Sequence, residues 1–249
     1  MVLDLKNLYH IVSLVLSLLF SFYLIFNNTK ERSGNVYIGL FILSMGLGDL
    51  DFLLGRTSFY SENPGFFLWL STASFLFFPL LFFYIRSVAY KGYQLKWYEI
   101  FHAIPFVLVI IVSIIQYHSQ STDTQIKMMT TTDTFKTWWI RALYILLHAQ
   151  ALLYMFLSIR IALRFRQIVK ENYSGTNKRN YKWILQLTFV FVYLVISGLI
   201  QNFLFFVVDE TYQGVLFYVL APLNIAFLIW LIYKALSQPY LFNGVDANI

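Results

Sequence analysis

The sequence predicts an all-α polytopic membrane protein, a bundle of seven transmembrane helices. Three observations carry that expectation. The chain is 59% hydrophobic and only 12% charged, with a mean hydropathy of +0.65. A soluble domain averages about 25% charged residues, so this chain lacks the polar side chains to cover a water-facing surface. Seven apolar runs reach the roughly 20 residues that a helix needs to cross a bilayer. Lys and Arg also divide unevenly between alternate loops, as they do in proteins threaded one way through a membrane.

The predicted spans are residues 8–26, 36–54, 66–88, 100–117, 140–162, 183–208 and 215–236. Together they make one membrane domain, residues 1–236, followed by a short tail, 237–249. The first run reads as a span rather than a signal peptide. Its flank "MVLDLKN" carries one Lys and one Asp, and no small-residue cleavage site follows "LIFNN". Span 2 contains "LSMGLGDLDFLLGR", with Asp49 and Asp51, and Gly55 is expected to end its helix. Gly46 and Gly48 allow close helix packing. Span 3 contains "FLFFPLLFFYIR" and span 7 contains "VLAPLNIAF". Pro79 and Pro222 in these runs each remove a backbone hydrogen bond and are expected to kink their helices. Span 4 opens on "HAIPF", span 5 carries His148 and Gln150, and span 6 carries Gln201 and Asn202. Trp69, Trp97, Trp138, Trp139 and Trp183 fall near span ends, where amphipathic rings favour the interface.

Lys6, Arg56, Lys127, Lys136 and Arg141 go with the N-terminus and its set of loops; the other 13 of the 18 basic residues go with the opposite set. The expectation is a cytoplasmic (inner) membrane protein with its N-terminus outside and its C-terminus in the cytoplasm. The basic loop Arg164–Lys182 is read as a topology signal, with binding to anionic lipid headgroups as the second reading. It is too short to hold a helix-turn-helix, so no nucleic acid is expected to bind this chain directly.

With no cysteine, disulfides, thiol catalysis and Cys-based metal sites are excluded. No histidine pair has the spacing of a metal site, and nothing sets a nucleophile beside a base. No enzyme activity, metal or cofactor is expected. A retinal-type photoreceptor needs a lysine deep in a span, whereas Lys234 lies at the end of span 7.

An ionisable residue in a span is costly and marks function. Asp49 and Asp51 lie roughly 5–8 Å from the outer end of span 2 at 1.5 Å per residue. Two positions on a helix is about 200°, so they face opposite ways and do not make a carboxylate dyad. Arg56, Arg141 and His148 are the expected cationic partners, and His10 and His118 are expected to be solvated. One reading of the intramembrane polar residues is a set of interhelical hydrogen bonds. The functional reading is an outward pocket for a small ligand, with Asp49, Asp51, Arg141, His148, Gln201 and Asn224 as the candidate ligand-binding set, and an ion or proton path is a third.

Three segments carry a resemblance: "FPLLFFYIRSV", then "KWYEIFHAIPFVL" after a basic loop, then "LIYKALSQPYLF". Their order and spacing resemble the seven-helix sensor region of bacterial membrane-bound AraC-type transcriptional regulators, over about residues 36–242. The resemblance implies scaffold or signal-transmitting roles for Pro79, Tyr84, Arg86, His102, Pro105, Phe106, Gln238 and Pro239. Pro222 joins them as a hinge. It also implies a cytoplasmic helix-turn-helix output, for which 13 residues after the last span leave no room. The expected partners are therefore the lipid bilayer, an unidentified small ligand and a separate or missing DNA-binding unit, with a homodimer left open. The expected function is a sensor or receptor module that signals to a transcriptional output. The alternative is a small-solute transporter or channel.

Overall fold

A computed structural model describes residues 4–26, 32–90, 93–131, 137–172, 177–207 and 210–237. Among these residues are nine α-helices: α1 (Leu5–Phe26), α2 (Arg32–Gly55), α3 (Phe59–Glu62), α4 (Ser74–Ala89), α5 (Ile104–Ser113), α6 (Thr122–Thr130), α7 (Trp138–Asn172), α8 (Asn177–Val207) and α9 (Glu210–Ser237). Seven segments are long and apolar enough to span a membrane: Leu5–Phe26, Gly34–Gly55, Pro64–Ala89, Trp97–His118, Trp138–Ile168, Lys182–Phe203 and Phe217–Lys234. The architecture is an all-α seven-helix bundle, and the protein is a multi-pass membrane protein. Large apolar side chains such as Leu19, Phe26, Ile145, Phe189 and Phe203 stand exposed on its flanks, which suits a hydrocarbon solvent and not water.

α4 is the hub, touching α2, α5, α7 and α8. α1 packs on α2 and α9, and α9 returns to α8. One continuous core of buried residues, including Phe41, Leu81, Tyr84, Phe165, Trp183 and Phe191, joins the helices. Lipid tails are as apolar as these side chains, so close packing and interhelical hydrogen bonds hold the bundle together instead of water exclusion. The α1–α2 contact shows how. A Cβ on Gly46 would lie 3.0 Å from Ser17 Cβ, and one on Gly39 would lie 3.2 Å from the Ser21 carbonyl oxygen. Gly48 and Gly55 have open space instead, so of the two glycines expected to bring helices together only Gly46 does.

Two spans depart from the single helices that hydropathy predicts. In span 3 the α-helix begins only at Ser74; Pro64–Phe66 and Ser71–Ala73 are 3₁₀ turns. Here Ser71, Thr72 and Ser74 hydroxyls each donate to the carbonyl three residues back, a local alternative that competes with regular helix. Leu68 sits in this stretch at φ 74°, a left-handed backbone that L side chains resist. Span 4 runs as 3₁₀ helix over Trp97–Ala103, α over Ile104–Ser113 and π over Ile114–His118. Pro105 has no N–H for the Phe101 carbonyl, which accepts from Ile104 instead.

The long loop after span 4 contains α6, which hydropathy does not reveal. Gln125 on α6 is buried and donates to the carbonyls of Tyr117, His118 and Gln120, closing the end of span 4. The Tyr117 hydroxyl donates to the Pro64 carbonyl at 2.9 Å. Asp4, just before α1, meets Arg56 at 3.3 Å, so the start of α1, the 56–66 connection and α6 gather at one end of the bundle, called here the amino-terminal end.

Pro79 and Gln150 explain each other. Pro79 lies inside α4 and gives no N–H to the Phe75 carbonyl four residues back. The buried Gln150 amide, from α7, donates to that carbonyl at 3.0 Å. Pro222 lies inside α9 on an exposed position. Gln238 and Pro239, with the rest of the tail beyond Ser237, lie outside the described residues.

Candidate ligand cavity and its polar surroundings

A cavity of about 290 Å³ lies toward the amino-terminal end, between α2, the irregular start of span 3, α5 and α7. This is close to the lower limit of about 300–1,000 Å³ for ligand pockets. Its walls are mainly apolar: Leu68, Phe75, Val109, Trp139, Leu143 and Leu147. Asp51 enters from α2, beside Gly48 and Ser44. The irregular start of span 3 supplies one wall of the cavity, through Leu68, Leu70, Ser71, Thr72 and Ser74.

Asp51 accepts a 2.5 Å hydrogen bond at Oδ1 from the Tyr60 hydroxyl. Burial, then the neighbouring carboxylate, push the Tyr60 phenol above its ordinary range, so it keeps its proton and donates. Three carboxylates lie inside the spans: Asp49, Asp51 and Glu99. Asp49 has His10, and Glu99 has Arg86. Asp51 pairs with no arginine, lysine or histidine among the described residues.

The expected partners of the two aspartates are corrected accordingly. Asp49 pairs with His10 Nδ1 at 2.7 Å, and both side chains are largely buried, 11% and 13% exposed. His10 also stacks on Phe52, with centroids 3.8 Å apart, so it is not a solvated residue. His118 is not solvated either; it stacks on Trp69. The named cations go elsewhere. Arg56 meets Asp4 at 3.3 Å on the surface, Arg141 is exposed, and His148 is half-buried but does not line the cavity. Sequence spacing could not find His10, because 39 residues separate it from Asp49 and only the α1–α2 packing joins them.

The predicted ligand set therefore separates. Asp51 lines the cavity. Asp49 and Asn224 belong to a different polar layer with His10, Tyr9 and Tyr193. In it the Tyr193 hydroxyl donates to Asn224 Oδ1 at 3.2 Å, and Asn224 meets the Tyr9 hydroxyl. Gln201 is exposed and belongs to neither group. The residues sequence reasoning missed are Tyr60, Tyr144, Trp139 and the Ser71–Ser74 hydroxyls.

At the opposite end the motif residues come together. Arg86 Nη1 donates to Glu99 Oε1, while Glu99 Oε2 accepts from the Tyr93 hydroxyl at 2.9 Å and the Lys96 backbone N–H at 2.8 Å. The Arg86 guanidinium also lies 4.5 Å from the Tyr93 ring centre. Burial, then Glu99, hold the Tyr93 phenol above its ordinary range. His102 Nδ1 meets the Tyr154 hydroxyl at 2.5 Å, tying span 4 to α7. Tyr84 is fully buried against Trp183.

Known proteins add no further constraint. The chain matches no protein-family model, no curated protein and no solved structure. The reading of the site therefore rests on its geometry. Among the described residues no three His, Asp or Glu side chains gather as a metal site. A cavity with one carboxylate, several hydroxyls and apolar walls can hold and orient a small molecule.

Proposed function

We propose that this protein is a membrane-embedded sensor that takes a small ligand in the amino-terminal cavity and passes its occupancy to the opposite end. The observation that carries the reading is the cavity's position above a closed floor. On the side away from the amino-terminal end its lining includes Ser44, Phe75, Val109 and Leu147. Beyond them lie the rings of Phe78 and Phe191, 5.8 Å apart, and of Phe82 and Tyr154, 5.4 Å apart. A transporter or channel needs a polar route through that layer, and among the described residues aromatic packing occupies it.

The distribution of Lys and Arg favours the amino-terminal end lying outside and the other end in the cytoplasm. The ligand is then external. The route inward runs through α4, which reaches from the cavity wall at Phe75 to Arg86 at the far end. α7 runs parallel to the route, from Trp139 to Tyr154. A shift of either helix changes the Arg86–Glu99 and His102–Tyr154 contacts, and these would present the signal to a cytoplasmic output. A transcriptional output agrees with the resemblance to AraC-type sensor regions.

The test uses the absence of cysteine. Ser113, buried in the cavity wall, is replaced by Cys and coupled to a small thiol-reactive aryl group, which occupies the cavity whatever the natural ligand is. Hydrogen–deuterium exchange is then compared with and without the adduct. Changed exchange around residues 84–103 and 150–160 is expected. Fully coupled protein with unchanged exchange at that end overturns the sensor reading.

A further inference from the structure

We infer that the cavity selects a small amphipathic cation, an ammonium group on a short aliphatic or aryl body. This inference rests on the sensor reading above and names the ligand class of the same site. The first ground is charge. Asp51 is the one aspartate, glutamate, lysine, arginine or histidine among the cavity-lining residues. It is also the one carboxylate within the described spans with no arginine, lysine or histidine side chain paired to it. A carboxylate withdrawn from water needs both hydrogen bonds and a counter-charge. Tyr60 satisfies Oδ1 with a neutral donor, and no protein donor reaches Oδ2 among the described residues. A bound cation supplies what is missing.

The second ground is the direction of the other polar groups. Ser44, Ser71, Thr72 and Ser74 all line the cavity. Each donates its single hydroxyl proton to a backbone carbonyl three residues earlier on its own segment, at 2.7–2.9 Å. A hydroxyl has one proton and two lone pairs, so these four present acceptors to the cavity. Four acceptors and a carboxylate, with no lysine, arginine or histidine, match a ligand that brings donors. An ammonium brings up to three. An anion would meet acceptors at these four hydroxyls and repulsion at Asp51.

The third ground is the remaining wall. Phe75, Trp139 and Tyr144 add aromatic faces that attract cations, and Leu68, Leu143 and Leu147 accept hydrocarbon. At about 30 Å³ for each water-sized group, the cavity takes on the order of ten such groups. That volume suits a small molecule or a small terminal group.

Three probes of one shape test the inference: 2-phenylethylamine, 2-phenylethanol and phenylacetate. Each is titrated into the full chain in lipid nanodiscs, with calorimetry as the readout and empty nanodiscs subtracted. Charge-assisted hydrogen bonds are about twice as strong as neutral ones. The amine is therefore expected to bind about tenfold tighter than the alcohol or more, and phenylacetate weakest. Asp51→Asn should remove the preference for the amine and leave alcohol binding nearly unchanged. Gly48→Leu fills the cavity from a position with open space and should weaken both amine and alcohol. The wild-type ranking alone decides the matter even if Asp51→Asn fails to fold. Alcohol or phenylacetate binding as well as the amine, or no saturable amine binding, overturns the cation assignment. A preference for the alcohol that Gly48→Leu abolishes does so while leaving the cavity as a ligand site; the exchange experiment with the tethered aryl group judges the sensor reading separately.

Discussion

Removing Gln150 should cost stability only while Pro79 is present. Pro79 leaves the Phe75 carbonyl without its helical donor, and Gln150 Nε2 replaces it at 3.0 Å. The single substitution Gln150→Leu gives an ambiguous number, because two effects oppose. It strands the buried Phe75 carbonyl, at about 1–3 kcal/mol for an unsatisfied polar group. It also removes Gln150 Oε1, a buried acceptor with no partner among the described residues. The two-residue cycle isolates the bond. In the Pro79→Ala background the restored backbone N–H reaches the Phe75 carbonyl in the ordinary helical way, and Gln150 has nothing left to satisfy. Interhelical side-chain hydrogen bonds in membranes average about 0.6 kcal/mol and reach about 1.7. A buried bond at this distance belongs in the upper part of that range, so the coupling should be about 1 kcal/mol. Reversible unfolding of the four variants in mixed micelles measures it. Distant, independent sites add to within about 0.3–0.5 kcal/mol. A coupling inside that margin would refute the claim that Gln150 compensates for Pro79.

Other outcomes follow from the same geometry. Gly39→Ala places a Cβ 2.7 Å from Ile25 Cγ1 and 3.2 Å from the Ser21 carbonyl oxygen, and should destabilise the fold by about 1–3 kcal/mol. Gly48→Ala meets nothing within 4 Å and should stabilise by about 0.5–1 kcal/mol; equal effects in an unfolding titration contradict the proposed α1–α2 contact. At Leu68, φ is 74°, and a left-handed residue with a Cβ is strained by roughly 1–2 kcal/mol. Leu68→Gly should therefore be more stable than Leu68→Ala by about 1 kcal/mol in thermal unfolding, and the reverse order would show that the strain is absent. Glu99→Leu leaves Arg86 without its carboxylate. Because Arg86 keeps a quarter of its side chain exposed, the loss should fall near the lower end, about 3 kcal/mol, of the range for a broken buried pair. Arg86→Leu added to it should restore stability; a double variant no better than the single one argues against the pair.

The amino-acid sequence determined the bundle. Seven runs of apolar residues cannot be covered by 12% charged side chains, and a backbone in lipid must bond within its own helix. Span number and approximate ends follow from those two facts. So do the opposed faces of Asp49 and Asp51, because helical geometry is local. The breaks in spans 3 and 4 were only half legible. Pro64, Gly65, Ser71, Thr72, Ser74 and Pro105 are visible signals, but mean hydropathy averages over them.

Tertiary structure decided everything that depends on which helices meet. Asp49 finds His10 and not Arg56, Arg141 or His148, because α1 lies against α2. Asn224 and Asp49 leave the cavity to Asp51, and Gln201 turns outward. Gln150 reads in the sequence as one more intramembrane polar residue, and becomes a repair for Pro79 only once α7 lies beside α4. The cavity itself is a product of that packing. Spacing along a helix sets which way a side chain points, whereas the partner it meets comes from another segment, dozens of residues away, that one chain of letters does not locate.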